Sequence, residues 1–580
     1  METVLELVSD QCEKAIYKAF PHIEENIVSL TKSTQKAFGH YQLNSAMRIA
    51  KLLKKMPQSC AEEIADQLEQ TLWDIPFIEK IEIKGPGFIN IFLHPQFLQE
   101  RLKKLLQDER LLVAKQTKGK KVIVEFSSPN VAKQLHVAHL RSTIIGNSIA
   151  RLFEFLGWEV IRLNHIGDWG TPFGMLIHYL KTVEPDVLSL KKKPDLAQLE
   201  HWYKASRELF DTNEEFKKAS QQEVVKLQAK EEDSIKTWRI ICQISRDAFE
   251  HIYKLLDVQI TERGESFYEP FLPFCIETAK KKGVLKVSNG AKVMFLEGFK
   301  TKEDTDLPII LQKSDGGYNY STTDLAAFWH RTYKEMADRI IIVTDNGQSL
   351  HFQMVAKAAQ LLGFLDPHKT PFHHVTFGLV LGEDGKKIKT RSGKSFKLID
   401  FLEDAILEAK KILKERMPEE SDQEIEHLAR ILGINAIKYS DLSCMRTKDY
   451  TFSYERMLRF EGNTAAFLLY SYVRTLSIQR KAHQQALSFE HIELKHPTEV
   501  DLCVHLLQFP EVLAQVSNDL YPNKIADFLY ELAERFNAFF RDCHVINDPL
   551  QNSRLLICKA VEKTFEKGFW LLGLKTMEKM

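Results

Sequence analysis

The chain has 580 residues, of which 44% are apolar and 27% charged, with 79 basic and 79 acidic side chains in balance. That length is too great for one core, so about two to four domains are expected. The zero formal charge excludes a global field that draws the chain to nucleic acid, so RNA binding must come from local basic faces and aromatic platforms. The eight cysteines (Cys12, Cys60, Cys242, Cys275, Cys444, Cys503, Cys543, Cys558) show no CxxC, no zinc-type cluster and no disulfide framework. The first ten residues lack the basic and apolar regions of a signal peptide, and no apolar run is long enough to span a bilayer. A cytoplasmic protein with no membrane association is the expectation.

Residues 1–112 read as a small α/β domain. A helix covers the first 19 residues, a Gly39 turn leads into a helix after Asn44, and two strands, 81–84 and 88–92, flank Gly85-Pro86-Gly87. A second domain is expected over 113–424. Its first strand is the β-branched run 121–126, which suits a central parallel strand. Ser127, Ser128, Pro129 and Asn130 break that run, and a helix follows with His136 and His139 on one face. Residues 157–164 form the next strand, so the unit is strand–helix–strand and doubly wound. Residues 185–260 are charged and helical and read as an insertion between two Rossmann halves, with the charges on a solvated face. Later strands are expected at 307–312, 339–344 and 375–381. From 425 to 580 the pattern is amphipathic helix with almost no strand signal. The fold class is therefore α/β, a Rossmann-type domain with helical insertions between a small α/β domain and an all-α bundle.

A strand feeding a helix N-terminus makes an anion site, because unpaired N–H groups point at the ligand. Two imidazoles and Lys133 beside it suggest phosphate chemistry. An HxxH pair alone says little among 20 histidines. The register of the whole block says more: Glu125, Ser127 to Asn130, Lys133, His136, His139, Leu140, Arg141, Ser142 and Thr143. The block resembles the HIGH region of class I aminoacyl-tRNA synthetases in its arginyl form. The resemblance continues at 162–174 (Asn164, His165, Gly167, Asp168, Trp169, Gly170), at 320–324, at 348–351 and at 460–464, and so covers nearly the whole chain.

The resemblance implies arginine activation by ATP, with Mg²⁺ on the phosphates and no protein-bound zinc, then transfer to tRNA(Arg) by a monomer. Adenylate formation loads charge onto nonbridging oxygens and departing pyrophosphate, and preorganised donors and cations lower that barrier. His136, His139 and Lys133 are the suppliers. Ala138 stands where the family has glycine, so its methyl meets the adenine. The second ATP signature, the KMSKS loop, is degenerate here; its counterpart is 385–394, with Lys387, Lys389 and Arg391. A charged surface hairpin would look the same. Arginine's planar fork is best met by carboxylates. By resemblance Glu125, Asp324 and Tyr320 take the guanidinium, while Asn130 and Gln348 hold the amino and carboxylate groups. Ser127, His165 and His351 are secondary candidates, and the Gly167–Gly170 turn lines the pocket. Glu125 also reads as a salt-bridged strand acid, and Asp324 as a helix N-terminal acid.

For the tRNA, the resemblance assigns Gln42 and Asn44 to a D-loop base, although Asn44 also reads as a helix cap. It assigns Phe467, Tyr470, Phe540, His544 and Met580 to the anticodon loop through a DALR-type bundle. Aromatics at helical spacing also pack cores, so both readings stand for Phe467, Phe540 and His544. Three rivals remain: another class I synthetase, which lacks a reason for paired acids; a small nucleotidylyltransferase, which needs no helical third; and a non-catalytic RNA-binding relative, which would lose the histidines or the lysine.

Overall fold

Thr3 starts the first helix of the computed structural model, which describes residues 2–580 except 24–26, 34, 71–75, 190, 192–193, 387–396, 483–486 and 490–491. The Thr3 hydroxyl accepts from Glu6 N at 3.1 Å and Thr3 N donates to the Glu6 carboxylate at 2.7 Å, a reciprocal cap that satisfies two donors of Val4–Ala19. Val4, Val8, Cys12 and Ala15 form its buried stripe. Four strands follow: β1 (Leu30–Lys32), β2 (Tyr41–Leu43), β3 (Ile78–Lys84) and β4 (Phe88–Leu93). They make an antiparallel sheet in the order β1-β2-β4-β3. Gly85 (φ 63°) and Gly87 (φ 123°) supply the left-handed backbone that joins β3 to β4.

The chain packs as two compact units. One comprises Met1–Lys115, Arg459–Trp570 and Lys575–Met580; the other comprises Gln116–Leu458 and Leu571–Leu574. In the first unit the N-terminal sheet and the C-terminal helices share polar anchors. Tyr41 donates to Glu511 at 2.6 Å, Leu5 N donates to the same carboxylate at 2.8 Å, and Lys32 meets Glu531 at 3.0 Å. The helices are Ala465–Lys481, Pro497–Leu507, Phe509–Asp519, Asn523–Asp542 and Gln551–Leu572, the last two residues of which belong with the other unit.

The second unit is built on five parallel strands in the order β12-β11-β5-β6-β7. These are β5 (Lys121–Glu125), β6 (Glu159–Asn164), β7 (Thr261–Glu262), β11 (Arg339–Asp345) and β12 (Phe372–Phe377). Val122, Ile123 and Val124 have no exposed surface, as a central parallel strand requires. The helix Val137–Phe155, hereafter the histidine helix, crosses from β5 to β6. A separate antiparallel sheet holds β8 (Lys286–Ser288), β9 (Ala291–Lys300) and β10 (Asp306–Gln312). Two short strands, β13 (Val380–Leu381) and β14 (Tyr450–Thr451), pair in parallel.

The expected strands at 307–312 and 339–344 are β10 and β11. The run 375–381 is broken at Gly378 into β12 and β13: Gly378 N donates to Arg446 O at 2.9 Å, outside the sheet, at a point where a Cβ would lie 2.7 Å from the Lys448 carbonyl. The expected domain boundary near 425 falls inside the second unit, which runs to Leu458. Asp422–Leu442 is an amphipathic helix, and periodicity reveals that it is helical without revealing what it packs on. It packs on Leu398–Arg416 and on the histidine helix. The insertion is helical as expected: Leu196–Thr212, Glu214–Gln228 and Glu232–Leu255 lie between β6 and β7. No described helix is long and apolar enough to cross a membrane.

Candidate active site

In an open parallel sheet, ligands lie beyond the carboxyl ends of the strands where the winding direction reverses. Here the chain runs from β5 to β6 on one side and from β11 to β12 on the other, so the reversal lies between β5 and β11. Two loops border it: 126–136 after Glu125, and 346–348 after Asp345.

The first loop is strained and held. Ser127 (φ 69°), Ser128 (φ 48°) and Ala132 (φ 62°) take left-handed backbone that side chains rarely adopt. Neighbours fix each one. Ser127 N donates to Ser142 Oγ at 2.9 Å, Ser128 N to Asn164 Oδ1 at 2.9 Å, and Ala132 N to Ser245 Oγ at 3.0 Å. Tyr253 Oη lies 2.8 Å from Ser127 Oγ and accepts from Asn164 Nδ2 at 3.1 Å. Exposed Asn130 is set by a parallel bridge to Gly167, with Val131 N donating to Gly167 O at 3.1 Å and Gly167 N to Pro129 O at 3.0 Å. A Cβ on Gly167 would sit 2.1 Å from Asn130 Oδ1, so glycine here leaves the Asn130 side chain its place.

His136 caps the histidine helix in extended backbone, and its N–H donates to His139 Nδ1 at 3.1 Å. The neutral His139 ring therefore carries its proton on Nε2. The two rings lie 4.1 Å apart. Burial pushes the His139 imidazole down to about 3, with His136 and Lys133 adding repulsion against a backbone hydrogen bond at His136. A neutral donor above a helix start suits an anionic ligand. Ala138 is half-buried, while His136 and Lys133 are exposed.

The basic loop begins in a turn in which Gly382 N donates to Lys386 O at 2.8 Å and Gly385 has φ 70°. Lys387, Lys389 and Arg391 lie outside the described residues. The chain resumes at Lys397, which forms an antiparallel bridge to His136, and Leu398 N donates to Leu135 O at 2.8 Å. The loop thus ends against the histidines.

The acids divide between two situations. Glu125 is 5% exposed and ion-paired with the buried guanidinium of Arg331, so the salt-bridged reading describes its present state. Asp324, on Tyr320–Tyr333, accepts from His351 Nε2 at 2.6 Å with His165 Nε2 at 4.0 Å. The helix N-terminal reading does not apply, since Asn319 caps that helix through Ser321 N and Asp324 lies beyond its first turn, which holds no acid. Exposed Tyr320 stacks beside His351, ring centroids 4.8 Å apart. Gln348 is exposed in the Asn346–Gln348 turn that Asp345 caps. Asp168 is buried and holds Ser266 through N at 2.8 Å and Oγ at 2.6 Å, which makes it a brace for the turn; Trp169 packs edge-on to Trp238.

The sequence reading missed Glu265. Burial pushes its carboxyl up to about 8, with repulsion from Asp324 and then Asp168. It follows β7, a strand of two residues, too short to leave a pattern. Its field brings a second acid to Asp324, a pairing that an incoming cation would relieve.

In the first unit, Gln42 Nε2 donates to Asn90 Oδ1 at 2.9 Å and Asn44 Nδ2 to Thr31 Oγ1 at 3.3 Å. Asn44 occupies the N-cap position of Ser45–Leu53 without a side-chain cap bond. Among the aromatics, Tyr470 and Phe540 are 37% and 41% exposed and sandwich Arg474, whose guanidinium carbon is 4.7 and 4.9 Å from their ring centroids. Phe467 is half-buried and packs on Tyr530 at 5.8 Å, while Phe536 and Phe539 are core. His544 is exposed and Met580 half-buried.

Three family profiles match in chain order: the arginyl tRNA synthetase N terminal domain over 3–93, the catalytic domain of class I (R) tRNA synthetases over 101–454, and the DALR anticodon binding domain over 468–580. The chain is 54% identical to an arginine–tRNA ligase of Protochlamydia amoebophila and 49% identical to one of Chlamydia pneumoniae, each over 100% of both chains. It superposes on the arginyl-tRNA synthetase of Plasmodium falciparum with TM-score 0.86 and 33% identity over 100% of both chains. The Thermus thermophilus arginyl-tRNA synthetase shares the fold, with TM-score 0.78 at 24% identity over 99% of this chain and 100% of that one. With the strand–loop–histidine helix at the switch point and all three profiles in order, this chain belongs to the arginyl-tRNA synthetase family of class I.

Proposed function

We propose that the loop 126–136 with the start of the histidine helix, the basic loop and the Asp324 cluster act together as the aminoacylation site. The chain is an arginine–tRNA ligase: arginine and ATP give arginyl-adenylate and pyrophosphate, and tRNA(Arg) then takes the arginyl group and releases AMP. The observation that carries the residue assignment is Asp324 held by His351 with His165 beside it, acidic chemistry at the switch point of the sheet.

Asp324 and Glu265 receive the guanidinium, with the Tyr320 ring at its edge. Asn130 and Gln348, exposed on the two loops that border the crevice, hold the amino and carboxylate groups. Glu125 sits one shell out, where Arg331 neutralises it. The carboxylate of arginine attacks the α-phosphorus, the bond from that phosphorus to the α,β-bridging oxygen breaks, and pyrophosphate departs with that oxygen. His139 donates from Nε2 to the phosphate oxygens, His136 stands beside it, and Lys133 with Lys387, Lys389 and Arg391 offsets charge on the triphosphate. ATP enters as its Mg²⁺ complex, the ion riding on phosphate oxygens as part of the substrate. A ribose hydroxyl of the tRNA terminus then attacks the adenylate carbonyl and AMP leaves.

Gln42 and Asn44 present amide edges to the tRNA elbow. Tyr470 and Phe540 present ring faces to the anticodon loop, with Phe467, His544 and Met580 at its margin. The enzyme acts as a monomer in the cytoplasm.

Steady-state aminoacylation tests the pocket. Asp324→Asn removes one charge at constant shape, and loss of a buried charge partner costs about 3–5 kcal/mol, so the arginine KM should rise by orders of magnitude while the ATP KM holds. An unchanged arginine KM would remove Asp324 from the pocket.

A further inference from the structure

The insertion between β6 and β7 reaches the first loop at three successive points. Tyr253 holds Ser127 Oγ at 2.8 Å, and the wholly buried Ser245 takes Ala132 N at 3.0 Å. At the next residue, the Lys133 ammonium lies over the ring of Tyr203, 5.5 Å from its centroid. Tyr203 stands half-buried on Leu196–Thr212, a helix anchored by buried Leu199 and Trp202. A lysine is a point charge on a flexible four-carbon stem, and disorder in that stem must be given up when the ammonium meets phosphate. An aromatic face attracts the ammonium without neutralising it, as a carboxylate would. The left-handed backbone at Ala132, locked by Ser245, aims the stem; the ring then sets where its end rests.

We propose that the helical insertion presets the phosphate lysine, with Tyr203 as the positioning residue that holds the Lys133 ammonium for ATP. This rests on the reading that Lys133 meets the triphosphate. It gives the insertion a part in activation that its solvated charges do not suggest.

The test is ATP–pyrophosphate exchange on the full chain with tRNA(Arg) present, using Lys133→Ala, Tyr203→Phe, Tyr203→Leu and the double variant Tyr203→Leu/Lys133→Ala. Lys133→Ala should slow exchange by about tenfold or more. Tyr203→Leu should cost about two- to fivefold, expressed against ATP with the arginine KM unmoved, and Tyr203→Phe, which keeps the ring face, should restore most of the rate. The double variant should be no slower than Lys133→Ala alone. A wild-type rate for Tyr203→Leu beside a slow Lys133→Ala would overturn the role of Tyr203 and leave the phosphate reading standing. A wild-type rate for Lys133→Ala would remove both. Multiplication of the two losses in the double variant would show that Tyr203 acts on helix packing and not through the lysine, and would likewise overturn the proposal.

Discussion

On the proposed assignment, Glu265 holds a proton that arginine displaces. Its carboxyl is pushed up to about 8 by burial, then by Asp324 and Asp168, whereas a guanidinium is bound by the ionised form. Below that value each arginine bound releases a proton, so the arginine KM should fall as pH rises and level off near 8. Between pH 6.5 and 8 the change should be about an order of magnitude. Glu265→Gln should flatten the profile and raise the KM at pH 8. A wild-type arginine KM that does not move with pH, measured where the ATP KM is constant, would place Glu265 outside the site. In the first unit, Tyr470 separates two readings of an aromatic side chain. Loss of stacking costs roughly 1–3 kcal/mol of RNA affinity, while loss of a buried ring costs about 3–5 kcal/mol of stability. At 37% exposure, with its hydroxyl accepting from Arg474 at 3.0 Å, Tyr470 fits the first. Tyr470→Ala should raise the tRNA(Arg) KM by about tenfold with little change in Tm; the opposite pattern would make it a core residue.

Among the elements, the bridge between the first loop and the 165–170 turn is tightly constrained. Gly167→Ala would drive a methyl into Asn130 Oδ1, and overpacking of this kind typically costs about 1–3 kcal/mol. Because Asn130 is exposed and its backbone is paired, the side chain is what must move. The expected result is an arginine KM raised by about tenfold with the protein still folded; a crystal structure of the variant with Asn130 unmoved would refute the coupling. The strand, the strained loop and the histidine helix were legible in the sequence because each is local: a β-branched run, turn residues, then a capped helix. Asp324 was singled out by the family resemblance, since an acid in the second turn of its helix is locally unremarkable. The pairings that define their states were not legible. Glu125 meets Arg331, and Ser127 meets Tyr253, across more than 100 residues of chain. β9 was missed although it has ten residues, since Glu297 and Gly298 interrupt its apolar alternation. Glu265 left no signal because the strand before it is two residues long.

At the scale of the molecule, one carboxyl joins the two ends of the chain. Burial pushes Glu511 up to about 7, partly offset by Tyr41 and Leu5, whose hydrogen bonds it accepts. A carboxyl whose folded value exceeds its unfolded one stabilises fully below the unfolded value and loses that contribution as pH rises through the folded one. The first unit should therefore weaken between about pH 4.5 and 7, with Tm lower by roughly 2–6 °C at the upper end from this group. Glu511→Gln keeps an acceptor for both donors and should remove that slope. Melting curves with identical pH dependence in the two proteins would refute it. The division of the chain bears on how it is made. The unit that holds the active site occupies Gln116–Leu458, spliced between the halves of the other. On the ribosome the order of completion is thus the reverse of the order of starting. The inner unit has all but Leu571–Leu574 when Leu458 has emerged, whereas Tyr41 and Leu5 must wait more than 50 further residues for Glu511. During that wait the N-terminal sheet lacks its C-terminal partners and should be more open to proteases and chaperone capture than the inner unit.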